Sequence, residues 1–425
     1  MATNGAMTDE NVSAPPAVAP ALEQAASATY AQIVIQGAGP AGATLACRLA
    51  GAGVTVALVD RMELGSMEEP AFDGRAYAIT AGARGLLERA GIWQCLPWEV
   101  GPIDKIRVSD GKVGRSASPL YLHFDHEEAG LGSFGWMVEA RALRIAINRR
   151  IAALPTLALF APASADISRT DAGVEAVLSS GETINAQLAV GADGRRSRLR
   201  EQAGIGVVTL PYGQSGIVCA VAHEKPHHNV ALEHFLPGGP FAQLPMKGTE
   251  QAPHLSSLVW TERTKFAERL MTLPDEIFER EAQRRLGSHL GTIRLAGPRS
   301  SHPLSLQHAS RYVDTRLALI ADAAHGMHPI AGQGLNVGFR DVESLADLLI
   351  AAHQAGGDLG DAGLLAAYER VRRPDNLKML VATDLLDRLF SSDNPGLRLA
   401  RDVGIAAVHR MPGLKKRFMR EAMAK

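Results

Sequence analysis

The hydrophobic pattern begins abruptly at Ala31 and predicts a β-α-β unit at the start of the ordered chain. The apolar run Ile33–Ile35 leads into a glycine-rich turn and then into a helix of small residues over 41–50. A second apolar run over 54–59 is followed directly by an acid, Asp60. Two short apolar runs separated by a helical stretch are typical of parallel strands joined by a helix.

The remaining pattern predicts helices and strands in separate blocks. Helices are predicted over 80–96, 139–153, 275–286 and 334–354, and from Tyr368 to the end of the chain. Short strands are predicted at 106–109 and 121–124, over 157–192, and at 315–320, and strand-like runs dominate 208–308 around the helix at 275–286. No fixed-period repeat is apparent, which argues against a solenoid.

Residues 1–29 show neither strand alternation nor a helical stripe. They are rich in Ala and Pro and contain no Lys or Arg. A secretory signal needs a basic start and an apolar run, so this segment is not expected to be one. We expect it to be a disordered tail.

Composition narrows the class of protein further. The 425 residues suggest two or three domains, and 44 Lys and Arg against 45 Asp and Glu argue against nucleic-acid binding. The three cysteines are too dispersed for a zinc cluster and indicate a reducing compartment. No apolar run reaches the ~18 residues of a membrane span, so a soluble or peripheral protein is expected, cytoplasmic or on the inner face of the membrane.

The turn after the first strand carries a dinucleotide-binding fingerprint. Residues 37–42 read GAGPAG, which fits G-x-G-x-x-G between a strand and a helix. Gly37 permits the tight turn, Gly39 lets the backbone approach a pyrophosphate, and Gly42 lets the helix pack closely. Asp60 stands where an acid binds ribose hydroxyls. The motif alone does not distinguish NAD from FAD.

Two further glycine-rich segments follow buried strands. Asp193 and Gly194 come after the apolar run 188–190, although an Asp-Gly turn before a solvated helix would read the same way. Asp322 follows the strand at 315–320, and a glycine-rich loop then opens the helix at 334. A helix N-terminus favours negative charge, so two of them suit an extended cofactor with a pyrophosphate and an acidic heterocycle.

With these segments in this order, the sequence resembles the flavoprotein monooxygenases of the p-hydroxybenzoate hydroxylase fold, and among them the ubiquinone-biosynthesis hydroxylases. Residues 328–341, HPIAGQGLNVGFRD, match the long signature of that family. Segments 73–79, 212–214 and 235–245 resemble its flavin and substrate motifs, so the likeness runs from 31 to about 420. Ala321 departs from the Gly usual in the family. Arg141 stands near the position where relatives often carry Asn, and it either takes over that contact or is exposed.

The resemblance implies a mixed α/β fold assembled from separated segments. A Rossmann-like FAD-binding domain is expected over 30–103, 133–207 and 309–370, and an interleaved β-sheet substrate domain over 104–132 and 208–308. C-terminal helices are expected over 371–425. The segments containing Gly37, Asp193 and Asp322 would then meet at one cofactor.

The fingerprint and the resemblance together imply a set of FAD contacts. They are Gly37, Gly39, Pro40, Ala41, Gly42, Asp60, Arg61, Arg75, Arg141, Asp193, Asp322, Pro329, Gly332, Gln333, Gly334, Leu335 and Asn336. Arg61 would face the adenine or a phosphate, although an arginine just beyond a strand is as often a solvated surface residue. No metal is expected, because the cofactor carries the chemistry.

Implied substrate contacts come from the strand-rich region. They are Tyr212, Phe241, Leu244, Pro245 and Trp260, of which Phe241, Leu244 and Trp260 could equally be ordinary core. His325 and His328 are candidates for orienting substrate or relaying a proton, and a structural role for either is at least as well supported. No residue is singled out as the catalytic base.

The implied activity is hydroxylation of the aromatic ring of a polyprenyl phenol in ubiquinone biosynthesis. Reduced FAD, formed with NAD(P)H or another donor, would react with O₂ to give a flavin hydroperoxide that transfers one oxygen atom. The alternatives are a hydroxylase of a soluble aromatic, a flavoenzyme that uses no oxygen, and a flavin-fold protein that binds prenylated ligands.

The composition of the C-terminal segment is relevant to whether the protein meets such a substrate at a membrane surface. Residues 398–425 contain eight basic and two acidic side chains among apolar ones. Such a segment lies on an anionic membrane, docks on a partner such as another ubiquinone-biosynthesis protein, or caps its own flavin domain. The sequence favours none of the three.

Overall fold

The computed structural model describes residues 29–69, 71–111, 113, 121–128, 132–328 and 332–390. The helices are α1 (Pro40–Ala50), α2 (Ala81–Arg89), α3 (Ala140–Ala152), α4 (Arg198–Gln202), α5 (Thr264–Met271), α6 (Asp275–Leu286), α7 (Gln333–Gln354) and α8 (Ala362–Phe390). The strands are β1 (Thr29–Tyr30), β2 (Ile33–Gln36), β3 (Val56–Val59), β4 (Ala76–Thr80), β5 (Gly101–Ile103), β6 (Lys105–Asp110), β7 (Tyr121–Asp125), β8 (Gly135–Glu139), β9 (Leu157–Phe160), β10 (Ala165–Thr170), β11 (Gly173–Leu178), β12 (Thr183–Ala186), β13 (Leu188–Gly191), β14 (Val207–His223), β15 (Val230–Leu236), β16 (Gly239–Met246), β17 (Leu255–Arg263), β18 (Ile293–Leu295), β19 (Ser300–Ala309), β20 (Val313–Asp314), β21 (Leu317–Leu319) and β22 (His325–Gly326).

A parallel sheet gathers the three glycine-rich segments. Its strand order is β20-β21-β13-β2-β3-β9, and β21, β13 and β2 are adjacent and parallel. The strands β2, β3, β13 and β21 are buried along their whole length, which explains their uninterrupted apolar runs. Because parallel strands end at the same sheet edge, the turns after β2, β13 and β21 come together there.

The largest sheet has the order β22-β19-β14-β17-β16-β15-β6-β7, with β18 paired to β14. Strand β6 pairs in parallel with β15, so strands from 104–132 and 208–308 share one sheet. The long β14 pairs with both β17 and β19, and its pairing with β19 changes register between Pro211 and Ser215. The exact domain boundaries stay a prediction.

Two smaller sheets complete the described strands. One has the order β4-β8-β5, and the other has the order β1-β12-β11-β10. In the second, Thr29 pairs with Ile184, so regular structure starts within the predicted 1–29 tail. Residues 1–28 lie outside the described residues, as do 391–425.

The helices agree with the sequence pattern where apolar spacing is regular. α6 and α7 lie within a residue of their predicted bounds, whereas α2 is shorter than the predicted 80–96 and α5 was not predicted. The predicted boundary between 370 and 371 falls inside α8, which contains Pro374. None of the described helices combines the length and apolar character needed to cross a bilayer. Cys47 and Cys219 are buried, and burial raises the pKa of each thiol to about 12, so they act as small apolar residues.

Candidate active site

A cavity of about 530 Å³ lies between the carboxyl edge of the parallel sheet and one face of the largest sheet. Eight of the predicted site residues line it: Gly39, Pro40, Ala41, Leu244, Asp322, Gly332, Gly334 and Leu335. The flavin-domain side includes the starts of α1 and α7, and the opposite wall comes from β14, β15, β16, β17 and β19.

The glycine turn brings the start of α1 to this cavity. Gly37 has φ +107°, and a Cβ there would stand 2.3 Å from the Ala192 carbonyl oxygen. A Cβ at Gly42 would stand 2.0 Å from the Gly37 carbonyl oxygen. A Cβ at Gly39 would meet nothing within 4 Å, so the helix N-terminus is open to a ligand.

Asp60 holds the glycine turn directly. Its Oδ2 accepts from the Ala38 backbone N–H at 2.6 Å, and its Oδ1 accepts from that of Met62 at 2.9 Å. The neighbouring Arg61 is exposed. Asp60 and Arg61 are therefore not among the residues that line the cavity, and their predicted contacts with the cofactor stay predictions.

Asp322 lies in a 3₁₀ turn, Ala321–Ala323, directly after β21. Its accessible surface faces the cavity. Burial raises the pKa of this carboxyl, while Arg195 and His325 partly oppose the shift. Ala321 has φ +50°, the left-handed region that favours glycine, which is a physical reason for the Gly usual at this position in the family.

The start of α7 is positioned by Asn336. Its Nδ2 donates to the carbonyl oxygens of Ala78 at 2.7 Å and Gly332 at 3.0 Å, and its Oδ1 accepts from the Thr80 N–H at 3.0 Å. Gly332, the N-cap, has φ +63°. Asn336 and Gln333 do not line the cavity, and Pro329 lies outside the described residues.

Three polar residues predicted from other segments, Asp193, Arg75 and Arg141, do not line the cavity. Asp193 Oδ2 lies 3.4 Å from the Leu199 N–H, while the adjacent Gly194 and Arg195 line the cavity. Arg75 pairs with Asp73, and Arg141 pairs with Glu139.

Sequence reasoning missed a residue of α3, Arg144. Its Nη1 donates to the Ala38 carbonyl oxygen at 2.9 Å, inside the glycine turn. Burial lowers its pKa, although Tyr77 and Asp60 oppose that shift. Arg144 lies one helical turn after Arg141, and only the packing of α3 shows which of the two reaches the turn.

The two candidate histidines belong to the core. The fully buried Asp341 accepts from His325 Nε2 at 2.5 Å. His328 is fully buried beside Tyr212, with ring centroids 5.0 Å apart, and burial lowers its pKa to about 4. Neither histidine lines the cavity, and neither does Tyr212.

Alternation along β16 and β17 separates the remaining substrate candidates. Leu244 faces the cavity together with Pro240 and Ala242. Phe241 and Trp260 are cross-strand partners on the opposite face, in an apolar cluster packed with Phe278 of α6. The period of two places Pro245 on that opposite face as well. The expected aromatic wall from Phe241 and Trp260 is therefore core, and aliphatic residues such as Val218 and Val259 line the cavity instead.

These residues fit a bound dinucleotide. Two helix N-termini with open space at Gly39 and Gly334 line one cavity, and its volume is in the range of ligand pockets. A side chain at either glycine would enter the space where a phosphate or ring approaches the backbone.

Known proteins match nearly the whole chain. The family model described as an FAD binding domain matches residues 30–383. Ubiquinone hydroxylase UbiL of Rhodospirillum rubrum is 52% identical over 394 residues, which cover 92% of this chain and 89% of the relative. The 3-demethoxyubiquinol 3-hydroxylase of Escherichia coli is 32% identical over 395 residues, which cover 92% and 98%.

A solved structure matches the fold. PqsL, a probable FAD-dependent monooxygenase from Pseudomonas aeruginosa, superposes with a TM-score of 0.70 at 22% identity, covering 89% of this chain and all of that chain. That match confirms the predicted fold class, while the FAD-binding family model and the two hydroxylase relatives confirm FAD as cofactor and the monooxygenase class. The chain belongs to the ubiquinone-biosynthesis hydroxylase family of FAD-dependent monooxygenases.

Proposed function

We propose that this protein hydroxylates the aromatic ring of a polyprenyl phenol in ubiquinone biosynthesis, with O₂ as the source of the oxygen atom. The observation that carries the proposal is a single cavity shared by the flavin-domain loops and an aliphatic wall of the largest sheet. A cofactor at the loops and an apolar ring at the wall would then face each other.

The segments at the carboxyl edge of the parallel sheet, called here the flavin loops, would each contact a different part of the cofactor. Gly39, Pro40 and Ala41 would hold the pyrophosphate at the start of α1, and Asp322 would contact the ribityl or pyrophosphate part. The backbone at Gly332–Leu335 would face the pyrimidine ring, where oriented N–H groups stabilise negative charge. When bound, FAD supplies the electrons and the activated oxygen that the ring receives.

The wall of the cavity would exclude water from the reacting ring. Val218, Val259, Leu304 and Met327 line it with apolar surface. Water in the cavity would favour release of hydrogen peroxide over transfer of oxygen to the ring. NAD(P)H is the proposed reductant, bound transiently because the sequence contains only one dinucleotide fingerprint.

Peripheral contact with a membrane is part of the proposal. Leu377, Val381 and Leu385 of α8 recur every four residues and are exposed. They precede the basic segment 398–425, which lies outside the described residues. Co-sedimentation with anionic vesicles that weakens as salt rises would support this contact, and binding to another ubiquinone-biosynthesis protein without vesicles would replace it.

Deletion of the gene, followed by mass spectrometry of the quinone pool, tests the proposed substrate. The proposal expects accumulation of a prenylated phenol that lacks one ring hydroxyl. Normal quinone together with loss of a small soluble phenol's turnover would favour the soluble-substrate alternative.

A further inference from the structure

One carboxyl side chain stands on the aliphatic wall of the cavity. Glu233 of β15 pairs with Ala242 of β16, which pairs with Val259 of β17, which pairs with Val218 of β14. All four residues line the cavity. Adjacent strands lie about 4.8 Å apart, so Glu233 stands in a row of side chains, continued by Val108 of β6, whose other members are aliphatic.

The Glu233 carboxyl has its acceptor capacity available. Within the described part of the chain, no hydrogen bond or ion pair involves it. Burial is the sole cause that shifts its pKa, which rises to about 7. A carboxyl in such surroundings changes protonation state near neutral pH, as a general base requires.

Other titratable groups line the same cavity at other places. They are Tyr77, Arg195, His302 and Asp322. Asp322, Arg195 and Tyr77 lie on the side of the flavin loops. His302, on β19, pairs with Gly216 and lies four strands away from β15.

The charged side chains that the structure describes on β6 lie on the other face of the sheet, and two near the C-terminal end of α8 pair with each other. On β6, Lys105 pairs with Val230 and Arg107 with Leu232, so both share the opposite face of the sheet with His234. On α8, which contacts β16, Asp384 and Arg388 pair with each other at 2.9 Å. Glu233 is therefore the carboxyl that an aromatic ring seated on this wall would meet.

We propose that Glu233 accepts the proton of the substrate's phenol hydroxyl, an inference that rests on the proposed function. The phenol O–H bond breaks, the proton passes to a Glu233 carboxylate oxygen, and the electron pair stays on the phenolate oxygen. The phenolate charge raises the electron density at the ring carbons ortho and para to the oxygen, and an electrophilic oxygen adds at one of these carbons. The ring carbon that gains the oxygen then loses its hydrogen as a proton to solvent, the electron pair of that C–H bond restores the aromatic ring, and the original phenol oxygen regains a proton from Glu233.

Four variants of the FAD-loaded protein test this role, of which His302→Gln probes the other titratable group on the wall. Glu233→Gln keeps the shape but cannot take a proton, Glu233→Asp keeps the base, and the exposed Glu175→Gln of β11 removes an equal charge from a different sheet. Flavin absorbance and circular dichroism establish that each variant folds and holds FAD.

The first readout is the pH dependence of hydroxylation. In the wild type, kcat should rise as pH increases through about 7. Glu233→Gln should lower kcat about 10²-fold, remove this rising limb of the pH profile and leave KM within a few fold. Glu233→Asp should retain the limb, and Glu175→Gln should match the wild type. The same limb in Glu233→Gln, or its loss in His302→Gln instead, would overturn the proposal.

The second readout needs no turnover. A prenylated nitrophenol, coloured when ionised, is titrated on the oxidised holoprotein without a reductant. A carboxylate beside the ring opposes the phenolate charge, so the bound phenol's apparent pKa should be higher in wild type than in Glu233→Gln. Equal values would place Glu233 out of contact. If wild type hydroxylates no prenylated phenol, the proposed function fails, and this titration still decides whether Glu233 meets the ring.

Discussion

His325 Nε2 donates to Asp341 Oδ2 across 2.5 Å, in a pair that is almost entirely shielded from solvent. The same carboxylate accepts from Arg372 Nε and Asn376 Nδ2, each at 2.9 Å, and from the Ala321 N–H at 3.0 Å. Burial alone would raise the pKa of Asp341, but His325 and Arg372 hold it below its ordinary value. One carboxylate thus ties the turn that contains Asp322 to α7 and α8.

Asp341→Asn should destabilise the fold strongly. The substitution removes the carboxylate that accepts from the buried Arg372 Nε and leaves Asp375, 2.7 Å from Arg372 Nη1, as its remaining acidic partner. The loss should therefore approach the lower end of the range for a broken buried pair, about 3 kcal/mol. Urea unfolding measures the loss. The matched control is Asp347→Asn on the exposed face of α7, whose pair with Arg48 spans 3.5 Å and should contribute no more than about 1 kcal/mol. Equal losses in the two variants would contradict a structural role for the buried pair.

Ala321→Gly should preserve or increase stability. Ala321 has φ +50°, a conformation that costs an L-residue about 1 kcal/mol or more. Glycine removes that strain, while its freedom in the unfolded chain offsets part of the gain. Thermal unfolding should show no loss, whereas Ala318→Gly in the buried β21 should be destabilising. A comparable loss in both variants would show that Ala321 is not strained.

Acid should destabilise the protein between pH 6.5 and 4, although protonation of Glu233, whose pKa burial raises to about 7, opposes part of the loss. The neutral His223 ring donates from Nδ1 to the Lys225 carbonyl oxygen at 2.7 Å, and its Nε2 accepts from Ser256 Oγ at 2.9 Å. Burial lowers its pKa from 6.5 to about 4. The unfolded chain therefore binds the proton first, and stability falls as pH drops from about 6.5 to 4.

Urea unfolding at several pH values measures this dependence. The free energy of unfolding falls between pH 6.5 and 4, and His223→Gln should reduce that fall by a share on the order of 2 kcal/mol. His308 and His328, whose pKa values burial also lowers to about 4, would retain the rest. An unchanged slope in His223→Gln would mean that its ring accepts a proton in the folded state.

Gly39→Val and Asp322→Ala should each abolish retention of FAD while the chain still folds. A valine side chain at Gly39 would project into open space at the start of α1, where the pyrophosphate approaches. The control is Gly206→Val, at an exposed glycine where an added Cβ would come no closer than 3.8 Å to a neighbour, Ser310 Oγ. Absorbance of the purified proteins measures flavin occupancy, and unchanged occupancy in both variants would refute the placement of the cofactor.

Local patterns account for what the sequence predicted well. The β2–α1 turn, α6 and α7 are marked by buried apolar runs, glycines with steric reasons and regular helical spacing. These features depend on neighbours along the chain. The convergence of Gly39 and Asp322 was instead implied by the family resemblance, and the parallel sheet explains it, because its strands end at one edge.

The face that a side chain occupies is what the sequence left open. In β16 and most of β17, residues of both faces are buried, because α5 and α6 pack on one side and the cavity lies on the other, so no regular alternation of apolar and polar residues marks the face toward the cavity. Phe241 and Trp260 therefore could not be told apart from Leu244. The role of His325 depends on Asp341 and Arg372, which only the packing of α7 and α8 brings together.

The most direct test of the central claim uses labelled oxygen. The purified FAD-loaded protein is mixed with NAD(P)H, a short-chain prenylated phenol and ¹⁸O₂, and the products are analysed by mass spectrometry. The account predicts a ring-hydroxylated phenol that carries one ¹⁸O atom. Consumption of oxygen with release of labelled hydrogen peroxide and an unchanged phenol, under conditions where FAD stays bound, would contradict it.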